Sequence, residues 1–566
     1  MNYCEHPTTA QLSGPKHHPW QAVGGHGEYI NTFVGNRQGL LSRNFKIRSL
    51  FFFLFLLLSL FPGLQSCTSS TPPQPGDDVF VGRPASSPQS NAPARQTGAL
   101  WYRIEPQEDS IHLQIRLLNP PGTTTFFLPG DWAGHTDFDV QIVLGSVVGP
   151  EGPLPVTLDR RAGRIDILTG GEDWVELSYR VQVKNAANTS SSLHPWSNDD
   201  AFFAYAPTAL ILPSAGLAEQ LVDIPVELHL PSQWTPATTW PLKYLREEPS
   251  RTVAGYLVDD VRSLRDAFFG AGQDWRSLRR EKFQGDVEIV FAGTSALDEE
   301  ALTEAAGKIF DYYQEHLGIY DRLTGVVLPR PLSAGSSLRG MGRRGGFILE
   351  VPEDRTLDED VLTLLAHEAF HCWNGHVIVP DPEQESQVEW FKEGLTHYVA
   401  LKTLRRLELI SDRVLRRELA RSGQYYLQNP IIAGGPTRPV DYLRLPYDLG
   451  LLRGLALDTA LFHHSGGNLE IEDWFSLLLS PEFKKESRRM TPELLRRSFL
   501  HLSAGLSQSV GNTYSRLITS ETALDVDAIF SGLGLHFLGS DGYDPARVLP
   551  LGDAELFRLL FTSLDE

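Results

Sequence analysis

The 566-residue sequence predicts an α+β protein of several domains. Three observations predict this class. Short segments with period-two alternation fill residues 100–265, strand and helix patterns are mixed over 266–403, and helical patterns dominate 404–540. The chain is also longer than one ordinary domain. We therefore expect a β-sandwich-like N-terminal domain, a mixed domain and a helical domain, followed by a tail at 541–566.

The N-terminal 66 residues are expected to be a leader with a lipoprotein signal peptide. Three basic residues precede an apolar run at 50–61, which is shorter than the roughly 20 residues of a transmembrane helix. Residues 64–67 read Leu-Gln-Ser-Cys and resemble a bacterial lipobox, so that cleavage would leave Cys67 to carry lipid. An ordinary secretory signal cut near Ser66 and an uncleaved anchor are the alternatives.

The segment after the expected signal peptide, the cysteine count and the net charge fit a lipid-anchored protein. Residues 67–99 are rich in Pro, Ser, Gly and Thr and read as a flexible tether. After processing, Cys372 would be the one thiol left, so no intramolecular disulfide is expected. A net charge of −20 argues against nucleic-acid partners. We expect a lipid-anchored envelope protein, at the outer membrane or periplasmic face if the cell is Gram-negative.

Strand patterns define the N-terminal domain and the beginning of the mixed domain. Residues 111–117 alternate strictly between apolar and polar side chains, and similar short strands are predicted at 138–144, 175–183 and 226–230. In the mixed domain a strand is predicted at 287–291, a helix at 297–317, and further strands at 325–328 and 346–351.

Residues 367–371 read H-E-x-x-H, a pattern that places two imidazoles on one face of a helix. The helix is expected to start with a capping box at Thr356 and Glu359 and to end at Asn374-Gly375. Its apolar residues lie almost all round, which is typical of a buried helix. The alternative is a pair of core histidines bonded to backbone carbonyls, but His367, Glu368 and His371 are unfavourable to bury without a partner.

Glu393 is the predicted third metal ligand. It lies on a second predicted helix and is followed by Gly394, which makes sense if another helix or a metal site approaches closely. A catalytic zinc takes three protein ligands and keeps one position open. His397 is a rival ligand, and the alternative is an amphipathic helix with a surface glutamate at position 393.

These motifs resemble those of the glycyl-aminopeptidase family of gluzincin zinc metallopeptidases. The family continues its zinc helix with H-x-W-N, seen here at residues 371–374, and its glutamate helix reads W-x-x-E-G-x-T-x-Y, seen at 390–398. A later element, 447–458, resembles Y-x-K-G-x-L-x-x-L-x-L-D, with Leu449 in place of the family lysine. The resemblance covers roughly residues 195–540. It implies a thermolysin-like catalytic domain at 266–403, completed by the helical domain at 404–540. Many family members carry a C-terminal PDZ domain, which we expect to be absent.

The resemblance also implies roles for individual residues. His367, His371 and Glu393 would bind one zinc ion per chain, and Glu368 would move a proton from water to the leaving amine. Tyr447 would donate to the negative oxygen that forms, with Tyr442 as its nearby competitor. Trp373, Asn374 and Thr396 are expected to shape the surroundings of the ligands.

Substrate binding is expected on an edge strand that precedes the zinc helix. In the family this strand carries a G-G-L-E-H-like segment, seen here as residues 345–350 with Gly345 and Gly346 retained and Glu350 displaced by two positions. Arg343 lies in an upstream Gly- and Arg-rich segment that reads as a flexible basic loop. That loop would favour acidic peptides or a carboxylate, or would simply be solvated.

The sequence therefore predicts a zinc metallopeptidase that acts on peptides or proteins, with aminopeptidase activity implied by the family. An endopeptidase with a cleft open at both ends is one alternative. A non-catalytic peptide-binding lipoprotein on a peptidase fold is the other.

Overall fold

The computed structural model describes residues 96–97, 99–130, 138–183, 193–280, 285–331, 337–486, 489–519, 523–539, 547–550 and 554–562. Within these ranges a sheet-rich N-terminal region is followed by a mixed region and then by a helical C-terminal region, as predicted. The expected leader and Cys67 lie outside the described residues, as do nearly all of the tether and half of the tail. In the described part of the chain, no helix combines the length and apolarity needed to cross a membrane.

The N-terminal region consists of strands with three short helices. The strands are β1 (Gln96–Thr97), β2 (Leu100–Gln107), β3 (Ser110–Leu118), β4 (Thr123–Phe127), β5 (Ile142–Gly149), β6 (Gly152–Pro153), β7 (Val156–Asp159), β8 (Arg164–Leu168), β9 (Trp174–Gln182), β10 (Trp196–Ser197), β11 (Ala201–Tyr205), β12 (Leu212–Pro213), β13 (Leu221–Pro231), β14 (Thr235–Thr238), β15 (Leu242–Glu248), β16 (Arg251–Asp260) and β17 (Phe268–Gly272). The helices are α1 (Ala206–Ala209), α2 (Ala215–Ala218) and α3 (Val261–Arg265).

These strands form one large sheet and two small ones. The large sheet has the order β15-β16-β13-β2-β3-β9-β5-β6, with β1 beside β13. The small sheets have the orders β12-β4-β8-β7 and β10-β11-β17-β14. Buried residues of β3 and β8, such as Ile115 and Ile167, belong to the same apolar cluster, so two sheets share one core.

Most strands lie where the alternating pattern predicts them. Along β3, buried and partly exposed residues alternate, because successive side chains of a strand point to opposite faces. The strand predicted at 138–144 differs, since it begins only at Ile142. Asp139–Gln141 forms a 3-10 turn instead, closed by the Gln141 N–H donating to the Phe138 carbonyl.

The mixed region has a five-stranded sheet with a long helix packed on it. Its strands are β18 (Trp275–Arg280), β19 (Asp286–Ala292), β20 (Arg322–Arg330), β21 (Arg339–Arg343) and β22 (Gly346–Pro352), and its helix is α4 (Glu299–Leu317). The order is β18-β19-β20-β22-β21. Because β21 pairs antiparallel with β22 and with no other described strand, it is the edge of the sheet.

Helix α5 (Glu359–Phe370) follows this sheet and carries the H-E-x-x-H motif. Its N-cap is Asp358, whose carboxylate accepts the backbone N–H groups of Asp360 and Val361 at 3.1 Å each. The expected cap at Thr356 is therefore wrong, because the aspartate two residues later satisfies the free N–H groups of the first turn. The helix also ends earlier than expected, at Phe370, and continues as a turn that reaches Gly375 with φ +129°.

The remaining chain is mostly helical, as predicted. Its elements are α6 (Glu385–Glu389), a π-helical turn (Trp390–Leu395), α7 (Thr396–Arg406), α8 (Asp412–Gln428), α9 (Pro430–Ala433), α10 (Pro439–Ser465), α11 (Ile471–Leu479), α12 (Pro481–Glu486), α13 (Pro492–Leu502), α14 (Gln508–Tyr514), a second π-helical turn (Ser515–Thr519), α15 (Val526–Ser531) and α16 (Glu555–Phe561). Two short strand pairs accompany them, β23 (Val379–Pro380) with β24 (Arg489–Met490), and β25 (Leu535–Leu538) with β26 (Arg547–Pro550).

One apolar core joins the mixed region to these helices. Phe370 of α5, Phe391 of the π-helical turn, Leu451 of α10 and Phe475 of α11 are all buried in a single cluster. This packing fixes the position of α5 against the π-helical turn and α10. The domain limits at 265 and 403 stay predictions.

Candidate metal centre and active site

His367, in the last turn of helix α5, and His371, the residue that follows the helix, face each other. His367 and His371 are buried, and their Nε2 atoms lie 3.0 Å apart. The Nδ1–H of His371 donates to the Asn374 carbonyl at 2.8 Å, which leaves its Nε2 as the atom that faces the centre. A histidine that ligates a metal usually has its other ring nitrogen fixed in this way.

Glu393 reaches the same point from the π-helical turn. Its Oε2 lies 3.3 Å from Nε2 of His371 and 3.6 Å from Nε2 of His367. The ligand atoms of the three residues all lie within 4.8 Å of one another. The structure thus brings together the three predicted metal ligands, and no other described group of His, Cys, Asp or Glu meets the same test.

Glycines let the π-helical turn approach helix α10 closely. A Cβ added at Gly394 would lie 2.4 Å from the Pro446 carbonyl oxygen, and one added at Gly450 would lie 2.0 Å from the Trp390 carbonyl oxygen. Any side chain at either position would push the two elements apart. The reason expected for Gly394, a close approach by another helix, is confirmed.

Charge and chemistry at this point fit a divalent cation. Burial by itself raises the pKa of Glu393, but the charge of His371 and hydrogen bonds from both histidines outweigh it and hold the pKa well below its usual range. Burial lowers the pKa of His371, yet the Glu393 carboxylate reverses this and raises it. Two imidazoles and a carboxylate converging on one point are the ligand set of a catalytic zinc site.

Glu368 lies beside these ligands, against the edge strand β21. The carboxyl group is buried, and burial raises its pKa despite the two nearby histidines. A Cβ added at Gly340 would lie 2.4 Å from Cγ of Glu368, and one at Gly342 would lie 2.3 Å from Cβ of His371. The glycines of β21 therefore allow its backbone to lie directly against the motif.

Tyr447 reaches the site from helix α10, whereas Tyr442 does not. The Tyr447 ring stacks on that of His367 with centroids 6.0 Å apart, and burial together with the charge of Glu393 raises the pKa of its hydroxyl well above the usual value. Tyr442 lies on the same helix but is 58% exposed. The rival ligand His397 has its ring 5.7 Å from His367, and burial lowers its pKa to about 3. It is outside the set of three converging ligands.

Trp373, Asn374 and Thr396 surround the ligands, as expected. The Asn374 amide donates to the Phe391 carbonyl at 2.8 Å and to the Thr396 hydroxyl at 3.0 Å, which ties the end of α5 to the π-helical turn. The Trp373 indole donates to the Gly318 carbonyl at 2.8 Å. This bond anchors the turn that follows α5 to the C-terminal end of α4. Cys372 is buried and outside the ligand set, and burial raises its pKa to about 12.

The expected placement of the substrate segment at residues 345–350 is wrong. Gly345 forms the turn between β21 and β22 with φ +73°, and Gly346 and Glu350 lie on the inner strand β22. The edge is one strand earlier because the chain turns back at Gly345 and places β21 outside β22. Glu350 is buried, with an oxygen 3.6 Å from Nε of Arg330, so it faces a protein cation.

Arg343 lies on the edge strand and not in a flexible loop, so that expectation is also wrong. It is 7% exposed, and its guanidinium lies 5.4 Å from the centre of the Tyr205 ring of β11. Alternating glycines hid this strand from the sequence, because glycine is rare inside strands. The segment forms a strand because its backbone pairs with β22 from Arg339 to Arg343.

Two site residues were not singled out in the sequence. His376 has its Nε2 2.9 Å from the Gly342 carbonyl and so holds the edge strand against the motif. Lys392 has its Nζ 3.6 Å from Oε1 of Glu393. Its position next to Glu393 was a usable signal, whereas nothing in the local pattern marked His376.

Comparison with known proteins agrees with this geometry. Residues 360–433, which include His367, His371 and Glu393, match the model of the M61 glycyl aminopeptidase family. A search of curated proteins finds no match. A solved structure of an aminopeptidase N family protein from Idiomarina loihiensis is 18% identical, covers 78% of this chain and 79% of that one, and has a TM-score of 0.62. An M1 zinc metallopeptidase from Deinococcus radiodurans is 13% identical, covers 76% of this chain and 96% of that one, and has a TM-score of 0.49.

The likeness to the Idiomarina protein shows that the two chains share a fold, in which a sheet-rich N-terminal region precedes a helical C-terminal region. The family match spans both the H-E-x-x-H motif and Glu393. The family match thus covers the stretch of this chain that holds the three converging ligands, and it shows that residues 360–433 are similar to the M61 glycyl aminopeptidase family.

Proposed function

We propose that this protein is a zinc-dependent aminopeptidase whose zinc is held by His367, His371 and Glu393. The observation that carries the proposal is the convergence of these ligand atoms within 4.8 Å, beside Glu368 and Tyr447. One zinc ion per chain would occupy this point. Peptides or proteins are the proposed substrates, and aminopeptidase action follows from the family that residues 360–433 match.

Zinc at such a site lowers the pKa of a water molecule and polarises the carbonyl of the bond to be cleaved. Glu368 would accept a proton from the attacking water and pass it to the leaving amine. The Tyr447 hydroxyl keeps its proton at neutral pH and would donate to the oxygen that becomes negative. These roles need a general base and a hydroxyl donor beside the ligands, and Glu368 and Tyr447 lie there.

The glycine-rich edge strand gives the substrate backbone a place to bind. No described strand pairs with the outer side of β21, which lies next to Glu368, and of its backbone groups the Gly342 carbonyl is already bonded to His376. An extended peptide could pair with such an edge. We propose that β21, and not residues 345–350, aligns the substrate in a thermolysin-like arrangement.

The test is peptide hydrolysis by wild type and by Glu368→Gln, with the zinc content measured in both. We expect the variant to lose at least about 10³-fold in kcat and to keep its zinc, because the substitution removes the base and spares the ligands. Full activity in Glu368→Gln would refute the mechanism. Comparing a peptide that has a free N-terminus with its acetylated form tests the aminopeptidase proposal, and equal cleavage of both would favour an endopeptidase.

We also propose that Cys67 carries lipid and anchors the protein outside the cytoplasmic membrane. Support comes from the basic residues, the apolar run and the lipobox-like residues 64–67. Labelling cells with radioactive palmitate should mark the wild type and not Cys67→Ser. Equal labelling of both would refute the anchor and leave the peptidase proposal intact.

A further inference from the structure

A cavity of about 560 Å³ lies where α6, the π-helical turn, α10, α13 and α14 meet. Arg453 of α10, Trp390 of the π-helical turn and Tyr514 of α14 line it, with Gln387, Leu495 and Arg496 among its other walls. None of the residues proposed for catalysis or metal binding is among its lining residues.

Arg453 contributes a cation without an acidic partner. Its guanidinium lies 5.0 Å from the centre of the Trp390 ring, and its Nε donates to the Leu517 carbonyl at 2.9 Å. No described carboxylate forms an ion pair with it. Burial lowers the pKa of Arg453 to about 10, which is the sign of a charge that the protein does not compensate.

Two other arginines of this helical region, Arg444 and Arg496, are each paired with a carboxylate. Arg444, on the same helix, also stacks on an aromatic ring, with its guanidinium 3.8 Å from the centre of Tyr425, but it is paired with Asp448 at 3.1 Å. Arg496 lines the cavity and is paired with Glu493 at 2.8 Å. The carboxylate in the cavity wall is therefore already engaged, and Arg453 stays available to an anion from solution.

Tyr514 supplies a second unused polar group. Its side chain is buried, and its hydroxyl has no hydrogen-bond partner among the described residues. Buried hydroxyls nearly always have a partner, and an unmatched one calls for an explanation. Arg453 and Tyr514 lie close enough for each to affect the ionisation of the other. A ligand oxygen at Arg453 would thus be near a hydroxyl that needs an acceptor.

We propose that this cavity binds a small organic anion whose carboxylate or phosphate group pairs with Arg453 and accepts from Tyr514. A guanidinium presents its N–H groups in a planar fork that matches both kinds of oxyanion. The cavity is larger than an inorganic ion requires, and Leu495 and Ile518 offer apolar surface to the body of the ligand. The ligand would touch the helix that carries Tyr447 and the turn that carries Glu393.

Isothermal titration calorimetry of the full chain tests this proposal. The protein is used with the metal that it holds, and an anion that bound zinc at His367, His371 and Glu393 would be recognised because Arg453→Met would not remove it. The probes are phenylacetate, phenyl phosphate and the neutral phenylacetamide. We expect one phenylacetate or phenyl phosphate per chain and at least about ten-fold weaker binding of phenylacetamide, because only the anions can use the charge of Arg453. The tighter of the two anions identifies the oxyanion class.

Variants of the arginines separate this cavity from unspecific binding. Arg453→Met should abolish anion binding, and Arg453→Lys should weaken it about ten-fold because the ammonium lacks the planar fork. Arg444→Met, the matched control on the same helix, should bind as wild type does. If Arg453→Met fails to fold in a thermal melt, the comparison of Arg453→Lys with wild type decides.

Three results would overturn the proposal. The first is that neither anion shows saturable binding up to about 10 mM, where even a weak site would fill. The second is that phenylacetamide binds as tightly as phenylacetate. The third is that Arg453→Lys binds the anions as tightly as wild type does. The cavity lining includes none of the residues proposed for catalysis or metal binding, so failure of this proposal would leave the proposed peptidase activity untouched.

Discussion

Replacing Lys402 with methionine should destabilise the protein strongly, because Lys402 is the centre of a buried charge cluster. The side chain lies on α7 and is fully buried. Its Nζ lies 2.6 Å from Asp458, 2.8 Å from Glu472 and 3.1 Å from Glu470. Arg406 is the other cation of the cluster, 2.6 Å from Glu470. Three carboxylates thus share two cations.

The expected loss of stability follows from the number of charges in the cluster. Without Lys402, three buried carboxylates would face Arg406 alone, and breaking a buried ion pair on one side typically costs about 3–5 kcal/mol. For a domain of about 150–250 residues, this loss of stability corresponds to a melting temperature lower by about 6–20 °C. Burial raises the pKa of Asp458, so this carboxyl group takes up a proton more readily than an ordinary aspartate does. The destabilisation should therefore be smaller at pH 5 than at pH 8.

The matched control is Lys308→Met, which removes a lysine from an exposed pair. Lys308 lies 3.8 Å from Glu304, and the two side chains are 45% and 51% exposed. Such pairs contribute about 0–1 kcal/mol. Thermal unfolding followed by tryptophan fluorescence compares both variants with wild type. A Lys402→Met protein that melts within about 2 °C of the Lys308→Met protein would refute the reasoning.

Three further predictions concern the site and its supports. Asn374→Ala should weaken zinc binding about 10- to 100-fold, because it frees the π-helical turn from the end of α5; competition with a chromogenic chelator measures this, and unchanged affinity would contradict it. Gly394→Ala should destabilise the fold by about 1–3 kcal/mol, since its Cβ would lie 2.4 Å from the Pro446 carbonyl oxygen; an unchanged melting temperature would show that the helices can separate freely. Burial raises the pKa of Asp448 to about 6, so the folded state holds this proton more tightly than the unfolded state does. The resulting stability is complete below about pH 4 and is lost as the pH rises through 6, by about 3 kcal/mol, and Asp448→Asn should lack this part of the pH dependence in melting curves from pH 4 to 7. If the melting temperatures of wild type and Asp448→Asn changed with pH in the same way, the assignment to Asp448 would be contradicted.

The sequence could predict the metal centre because its chemistry is local. Two histidines four positions apart share a helix face whatever the rest of the fold does. Glu393 was also predictable, because Gly394 signals the close contact that the structure shows with Pro446 and Gly450. The π-helical form of that segment was not predictable, since it arises where the two helices press together and no local pattern encodes it.

The substrate side of the site was harder to predict because it depends on strand order. Residues 346–351 have the apolar pattern of a strand, but that pattern is the same for an inner and an edge position. The true edge strand, β21, is glycine-rich because its backbone touches Glu368 and His371. A segment that lacks side chains for this reason reads as a loop. Pairing between distant segments decides the edge, and single-sequence periodicity does not contain it.

The central claim is that His367, His371 and Glu393 hold one catalytic zinc ion. The most direct test is the zinc content of protein purified without chelator, by elemental analysis, for wild type, Glu393→Ala and Glu385→Ala. Glu385 lies at the start of α6 and is about half exposed, so it controls for the loss of a nearby carboxylate. We predict about one zinc per chain in wild type and in Glu385→Ala, and a loss of zinc together with peptidase activity in Glu393→Ala. A wild-type protein that is active without zinc, or a Glu393→Ala protein with full zinc content, would contradict the account.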